Sequence, residues 1–210
     1  MGATNTNNES KFNFYQVKDF KFRKNASKET QHAILNKVGD KEYYYTEFKA
    51  LNGHLHSVET KIKDLTDGRQ IELLTIWLKD KEINTFECIE VFYHSREAQS
   101  FLNTINNANL NNELSIEVCK DKEKLTTFFL IKQAGEIIKR YHSKETPNGL
   151  PALQQIGKGK NVKWIDSEMY DFYDIKIENL NEALRLNRQE EPSAPKLNKN
   201  LDVNYAFESE

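Results

Sequence analysis

The sequence predicts a mainly β domain with α extensions: a five-stranded barrel with one short helix inserted, a C-terminal helix after it and a disordered acidic tail. Three observations predict this. Segments rich in β-branched and aromatic residues recur between Glu42 and His142. Within Ile89–Ile105, "IEVFYHSREAQSFLNTI", a strand rhythm gives way to helical spacing at Ala98, Phe101, Leu102 and Ile105, directly after Ser95, a fit N-cap. The composition, 38% hydrophobic and 30% charged over 210 residues, belongs to a chain that folds.

Residues 1–41 read as an N-terminal extension. The first ten are rich in Asn and Thr and read as loose. In Lys11–Lys24, "KFNFYQVKDFKFRK", the rings of Phe12, Phe14, Tyr15, Phe20 and Phe22 interleave with five cations. This predicts an extended segment or edge strand whose rings pack on the body, with direct binding as the alternative. "NASKETQHAILNKVGD" then reads as a short helix or loop ended at Gly39.

Residues 42–145 supply the barrel. "EYYYTEFKALNG" and "HLHSVETKIK" form the first strand region, Asp67-Gly68 a turn, "IELLTIWLKD" the second strand and "INTFECIEVFYH" the third. The helix follows, with Phe101, Leu102 and Ile105 inward and Arg96, Gln99 and Asn103 outward. After an Asn-rich loop come "LSIEVCK", a charged turn, "LTTFFLIKQ" and a turn at Ala134-Gly135. Residues 146–188 comprise a long loop and a helix capped at Asp166 or Ser167, whose Tyr173, Ile177, Leu180 and Leu184 keep helical spacing and pack on the barrel. Residues 189–210 are a proline-bearing linker and an acidic tail.

No catalytic constellation emerges, and the chain reads as a non-enzyme. His54 and His56 share a parity without the Cys, Asp or Glu spacing of a metal site, and "GKGK" at 157–160 lacks the context of a phosphate-binding loop. No cofactor is implied. Cys88 and Cys119 each fall inside a strand and read as small buried hydrophobes. No apolar run approaches the roughly 20 residues a membrane helix needs, and the N-terminus lacks a signal pattern, so no membrane association and a cytoplasmic location are expected. Formal net charge is −2; the segment from Gln189 carries five acids against two lysines, which leaves residues 1–188 at +1. Anion binding would therefore rely on local patches.

Candidates for such patches are aromatic and basic. Trp77 lies on the second strand and Phe86, Phe92 and Tyr93 on the third, with Lys61, Lys63, Arg69 and Lys79 as nearby cations. On the second strand Leu74, Ile76 and Leu78 form the more uniformly aliphatic set and suit the interior, which turns Trp77 outward with Arg69 and Lys79. The alternative for Trp77 is burial under the N-terminal segment or the C-terminal helix. A second candidate is the loop of Lys158, Lys160, Lys163 and Trp164, which combines cations with one stacking ring.

Three strands, a helix and two strands are the layout of the OB-fold. In that order, in its aromatic strands and in its acidic tail the chain resembles the OB-fold single-stranded DNA-binding proteins of bacteria and their phages, most of all divergent phage-type members. The resemblance implies sequence-tolerant binding of single-stranded DNA in replication, recombination or repair. It also implies that the tail, through Asp202, Tyr205, Phe207, Glu208 and Glu210, docks replication or recombination proteins. The family's bacterial tails close on Pro-Phe, whereas this chain continues to "ESE" after Phe207. A β-sandwich fits the same strand count, and a protein-interaction module, such as a replisome or virion accessory, fits the near-neutral body.

Overall fold

The computed structural model describes residues 11–65, 67–80, 83–121, 123, 126–156 and 163–188. The mainly β expectation holds. The strands are β1 (Lys11–Lys18), β2 (Lys21–Ala26), β3 (Ile34–Val38), β4 (Lys41–Phe48), β5 (Ala50–Asp64), β6 (Gln70–Asp80), β7 (Thr85–Phe92), β8 (Leu114–Lys120), β9 (Thr127–Gln133) and β10 (Glu136–Ile137). A separate hairpin pairs β11 (Gln154–Ile156) with β12 (Lys163–Ile165). The helices are α1 (Arg96–Ile105) and α2 (Ser167–Asn187).

The expected order of three strands, a helix and two strands is present as β5-β6-β7-α1-β8-β9. The sheet itself is larger and open: ten strands in the order β10-β9-β8-β5-β6-β7-β1-β2-β4-β3. A five-stranded barrel would close by pairing its third strand with its fifth. Here the free edge of β7 is taken instead by β1, running parallel to it with Phe12 opposite Phe86 and Gln16 opposite Glu90. The segment expected as an extension is thus part of the sheet, and β1 is an interior strand between β7 and β2, not an edge. The stretch before Gly39 forms a turn and then β3, not a helix.

The sheet nevertheless curls, because its two halves face each other across one core. Phe22 of β2 packs against Phe129 of β9, with ring centroids 5.7 Å apart, although five strands lie between theirs in the hydrogen-bonding order. Leu74, Ile76 and Leu78 are fully buried in this core, as their parity predicts, with Ile89, Phe101, Ile116 and Ile131. Closure comes from side-chain packing and not from a hydrogen-bonded seam. The long β5 makes the bend possible. It pairs with β8 only over Ala50–Gly53, and a Cβ at Gly53 would lie 3.0 Å from Leu78 Cβ and 3.2 Å from the Lys79 carbonyl oxygen, so any side chain there would press on β6. A bulge between Leu55 and Ser57 then reorients the strand along β6.

Both helices behave as amphipathic covers. Ser95 caps α1 in extended geometry, its side chain accepting from the Ala98 N–H at 3.2 Å. Phe101, Leu102 and Ile105 face inward. Gln99 and Asn103, expected outward, meet α2: Gln99 Nε2 donates to Tyr170 Oη at 2.8 Å, and Tyr173 Oη donates to Asn103 Oδ1 at 2.9 Å. Tyr173, Ile177, Leu180 and Leu184 are buried as their spacing predicts. Asp166 occupies the N-cap position of α2 without a side-chain capping bond. Among the described residues, no helix is long and apolar enough to cross a membrane.

Candidate nucleic-acid interface

The face of the sheet turned away from the core follows from the strand registers, which arrange it in rungs. One rung holds Lys79 of β6, Phe86 of β7 and Phe12 of β1; the next holds Ser57, Trp77, Cys88 and Phe14. A third holds Glu59, Thr75, Glu90, Gln16, Arg23 and Glu47, and a fourth Lys61, Leu73 and Phe92. Trp77 therefore points outward, as its parity predicts, but it is half-buried beneath the rings of β1.

The first two rungs form one aromatic cluster. Phe12 stacks on Phe86 with centroids 5.3 Å apart, and Trp77 meets Phe12, Phe14 and Phe86 edge-on at 6.0, 5.8 and 6.5 Å. Such geometry suits the ring quadrupoles. His56 lies 4.9 Å from Phe86, and Lys79 Nζ stands 5.8 Å over the same ring. Arg188, at the end of α2, donates to His56 Nδ1 at 2.7 Å. Phe12, Phe14 and Trp77 keep part of their surface in solvent, whereas Phe86 is buried at 4% exposure and is the floor of the cluster.

Two of the sequence candidates leave the site. Phe86 offers no open ring face, and Tyr93 is a core residue, 1% exposed, its hydroxyl donating to Asp174 Oδ1 at 2.7 Å. Burial, then Asp174, pushes that hydroxyl well above the usual tyrosine range. Tyr93 faces α2 because β7 ends there and the chain turns into α1. Phe92, one residue earlier and on the opposite face, is exposed.

The basic candidates are split along the sheet. Lys79 alone adjoins the aromatic cluster. Lys61 and Lys63 lie opposite Leu73 and Ile71, about 13 and 20 Å along the strand from Trp77 at roughly 3.3 Å per residue. Lys61 is ion-paired with the buried Glu90. Desolvation lowers the pKa of Lys63; Glu90 opposes this and Lys61 reinforces it. Arg69 lies in the turn before β6 and pairs with Asp67 at 2.6 Å, too far from Trp77 to share a ligand contact with it. On the third rung, Glu47 is held below the usual carboxylate range, chiefly by Lys21 and also by Arg23. Phe92 with Lys61 makes a smaller second platform at this end.

Sequence reasoning placed Phe12 and Phe14 as packing rings and did not join them to Trp77. Their alternation with cations was visible, but the parallel pairing of β1 with β7 that brings them together was not. In the second candidate loop, β12 sets Trp164 opposite Gln155 and Lys163 opposite Ile156. Lys158 and Lys160 lie outside the described residues, as do Asp202, Tyr205, Phe207, Glu208 and Glu210 of the tail. Cys88 is buried, and burial pushes its thiol far above its usual range, so it is inert near neutral pH. Among the described residues, no cluster of His, Cys, Asp and Glu could hold a metal. An open cleft of about 630 Å³ between β5 and β8, lined by Asn52, His54, Asn112 and Glu117, meets the first rung at His54, which lies opposite Lys79. No protein family, curated protein or solved structure matches the chain.

Proposed function

We propose that the protein binds single-stranded DNA without sequence preference along the outer face of β5, β6, β7 and β1, and that its acidic tail recruits replication or recombination partners. The observation that carries this reading is the cluster of Phe12, Phe14 and Trp77, three partly open rings on one sheet face beside Lys79. Every base has a π-face, so stacking on such rings tolerates sequence, at about 1–3 kcal/mol per base. The order β5-β6-β7-α1-β8-β9, with β5 paired to both β6 and β8, supports an OB-like unit in which β1 occupies the edge that a closing strand would take. No catalytic step is assigned. Replication in the host cytoplasm of a phage is the setting this reading fits.

Fluorescence anisotropy of a labelled single-stranded oligonucleotide, against duplex and RNA of the same sequence and at two salt concentrations, tests the proposal. Phe14→Ala and Phe92→Ala should each weaken binding by about 1–3 kcal/mol with the circular dichroism spectrum unchanged. No binding of any nucleic acid at low salt sinks the proposal.

A protein-interaction module is the second reading, favoured by the pairing already present on this face: Lys61 with Glu90, and Lys21 and Arg23 with Glu47. Phosphates would have to compete for these cations. Affinity that falls steeply with salt identifies a phosphate binder, and affinity nearly independent of salt a protein interface.

A further inference from the structure

One end of the ten-stranded sheet is β3, and among the described residues no strand pairs with its outer edge. Natural edge strands are short, charged or covered, because free N–H and C=O groups invite pairing. The opposite end obeys this, since β10 has two residues. β3 has five and is mostly apolar: Ile34, Leu35 and Val38 are 39, 43 and 38% exposed, with Tyr43 of β4 beside them at 41%. Gly39 and Asp40 turn the chain into β4, and Gly39 takes the positive φ of +57° that the first central residue of a type II′ turn requires. The residues flanking a two-residue turn form a hydrogen-bonded pair, so Val38, Asn36 and Ile34 spend their backbone groups on Lys41, Tyr43 and Tyr45. The backbone groups of Leu35 and Lys37 therefore point at the open edge.

That edge complements itself in one register. Antiparallel pairing of β3 with β3 of a second copy, centred on Asn36, sets Leu35 opposite Lys37 of the second copy and Lys37 opposite its Leu35. Both pairs exchange N–H and C=O bonds, so the outward groups of Leu35 and Lys37 are all used. On the outer face Ile34 meets Val38 of the second copy on either side of the two-fold axis, and Asn36 meets its own equivalent on the axis. On the inner face the stem of each Lys37 covers a Leu35, while its ammonium keeps Glu42, 3.0 Å away. The adjacent registers fit less well. One opposes Lys37 to Lys37, a like-charge pair. The other opposes Lys37 to Ala33, whose N–H already donates to the Thr30 carbonyl at 3.1 Å, and sets Ile34 against Asn36.

We infer that the protein forms a two-fold dimer through β3, with Asn36 on the axis and the two sheets joined into one. The match of the strand to itself in apolar rows, amides and charge identifies the partner as a second copy. A two-fold contact occupies β3 of both copies, and β10 is too short to offer an equivalent edge, so assembly stops at two. Ile34 and Val38 share the face of Arg23 and Glu47, so the outer faces of both copies continue across the junction. The inference stands apart from DNA binding and survives failure of that reading. Five residues a side make a small interface, of the kind that associates reversibly.

Sedimentation equilibrium of the full chain tests it. The weight-average mass should rise with concentration from 24.6 kDa toward twice that value. Lys37→Pro spares the N–H groups used by β4 and should weaken association at least tenfold with the circular dichroism spectrum unchanged. In a Cys119→Ser background, Asn36→Cys should cross-link to a dimer under diamide, because a non-hydrogen-bonded pair on the axis has Cα atoms about 4.5 Å apart, within disulfide reach. Lys37→Cys should not, because the two positions are diagonal, about 7–8 Å apart. A monomer mass at every concentration overturns the proposal. So does a dimer that Lys37→Pro leaves intact, or equal cross-linking of the Asn36→Cys and Lys37→Cys variants, because the contact then lies elsewhere or in another register.

Discussion

Tyr15, Tyr93 and Tyr173 bury phenol rings whose neutral forms the fold favours. Burial is the first cause in each case, with Glu87 adding to it for Tyr15 and Asp174 for Tyr93. Tyr173 is pushed up to about 12. Each folded value lies above the unfolded one of about 10, so the contribution is complete below pH 10 and is lost as pH rises toward the folded value. In that window the unfolded chain has shed a proton that the native state keeps, so each buried tyrosine lowers stability by about 1.4 kcal/mol per pH unit. Urea unfolding followed from pH 8 to 11.5 should show a fall that begins near the ordinary thiol pKa of about 8.5, because the buried Cys88 stays neutral while its unfolded counterpart ionises, and that steepens near pH 10 as the tyrosines join it. Tyr93→Phe should make that fall shallower, and an unchanged slope would show that Tyr93 ionises freely. Trp77 belongs at this scale too. Its edge-on contacts with three rings make Trp77→Ala costly to the fold as well as to binding, so its loss should lower the urea midpoint, whereas Phe92→Ala should not.

At the scale of elements, an amide of α2 replaces a missing strand on β5. Beyond Gly53 the edge of β5 has left β8, and Asn181 meets it: Val58 N–H donates to Asn181 Oδ1 at 3.0 Å, and Asn181 Nδ2 donates to the Val58 carbonyl at 2.6 Å. Asn181→Ala should cost about 1–3 kcal/mol, since it leaves two backbone groups at a packed interface without partners. Asn181→Asp should recover only the bond donated by Val58. Ser95→Ala, which removes only the α1 cap, should cost about 1 kcal/mol. Equal denaturant midpoints for the parent and Asn181→Ala would show that water replaces the amide without loss. The helices and the β5–β9 order were legible because their signals are local: Ser95 before a 3.6-residue period, Asp67-Gly68 between two strands, and the aliphatic parity of Leu74, Ile76 and Leu78. The cover over Trp77 was not legible. It depends on Phe12 and Phe14 pairing with a strand some seventy residues away, and parallel pairing leaves no turn signature in either segment.

For the whole molecule, the decisive question is whether residues 1–40 are an appendage or part of the core. Tyr15 and Phe22 lie within the main core cluster, 4% and 0% exposed, and Phe22 bridges to Phe129 on the far half of the sheet. Loss of one such ring costs about 3–5 kcal/mol with the cavity included, against a total stability of about 5–15 kcal/mol for a typical domain. Removing both, and with them the partner of β7, consumes most of that margin. A chain beginning at Lys41 should therefore lose its cooperative urea transition and its near-ultraviolet circular dichroism, although β5, β6 and β7 remain. If it unfolds cooperatively at the midpoint of the full chain, the β5–β9 unit is self-sufficient and β1 and β2 only decorate its edge. The pairing of β1 with β7, two strands joined only through a long stretch of chain, also argues for the first outcome. Such a contact forms late and at high entropic cost, so it persists only where the packing it completes outweighs that cost.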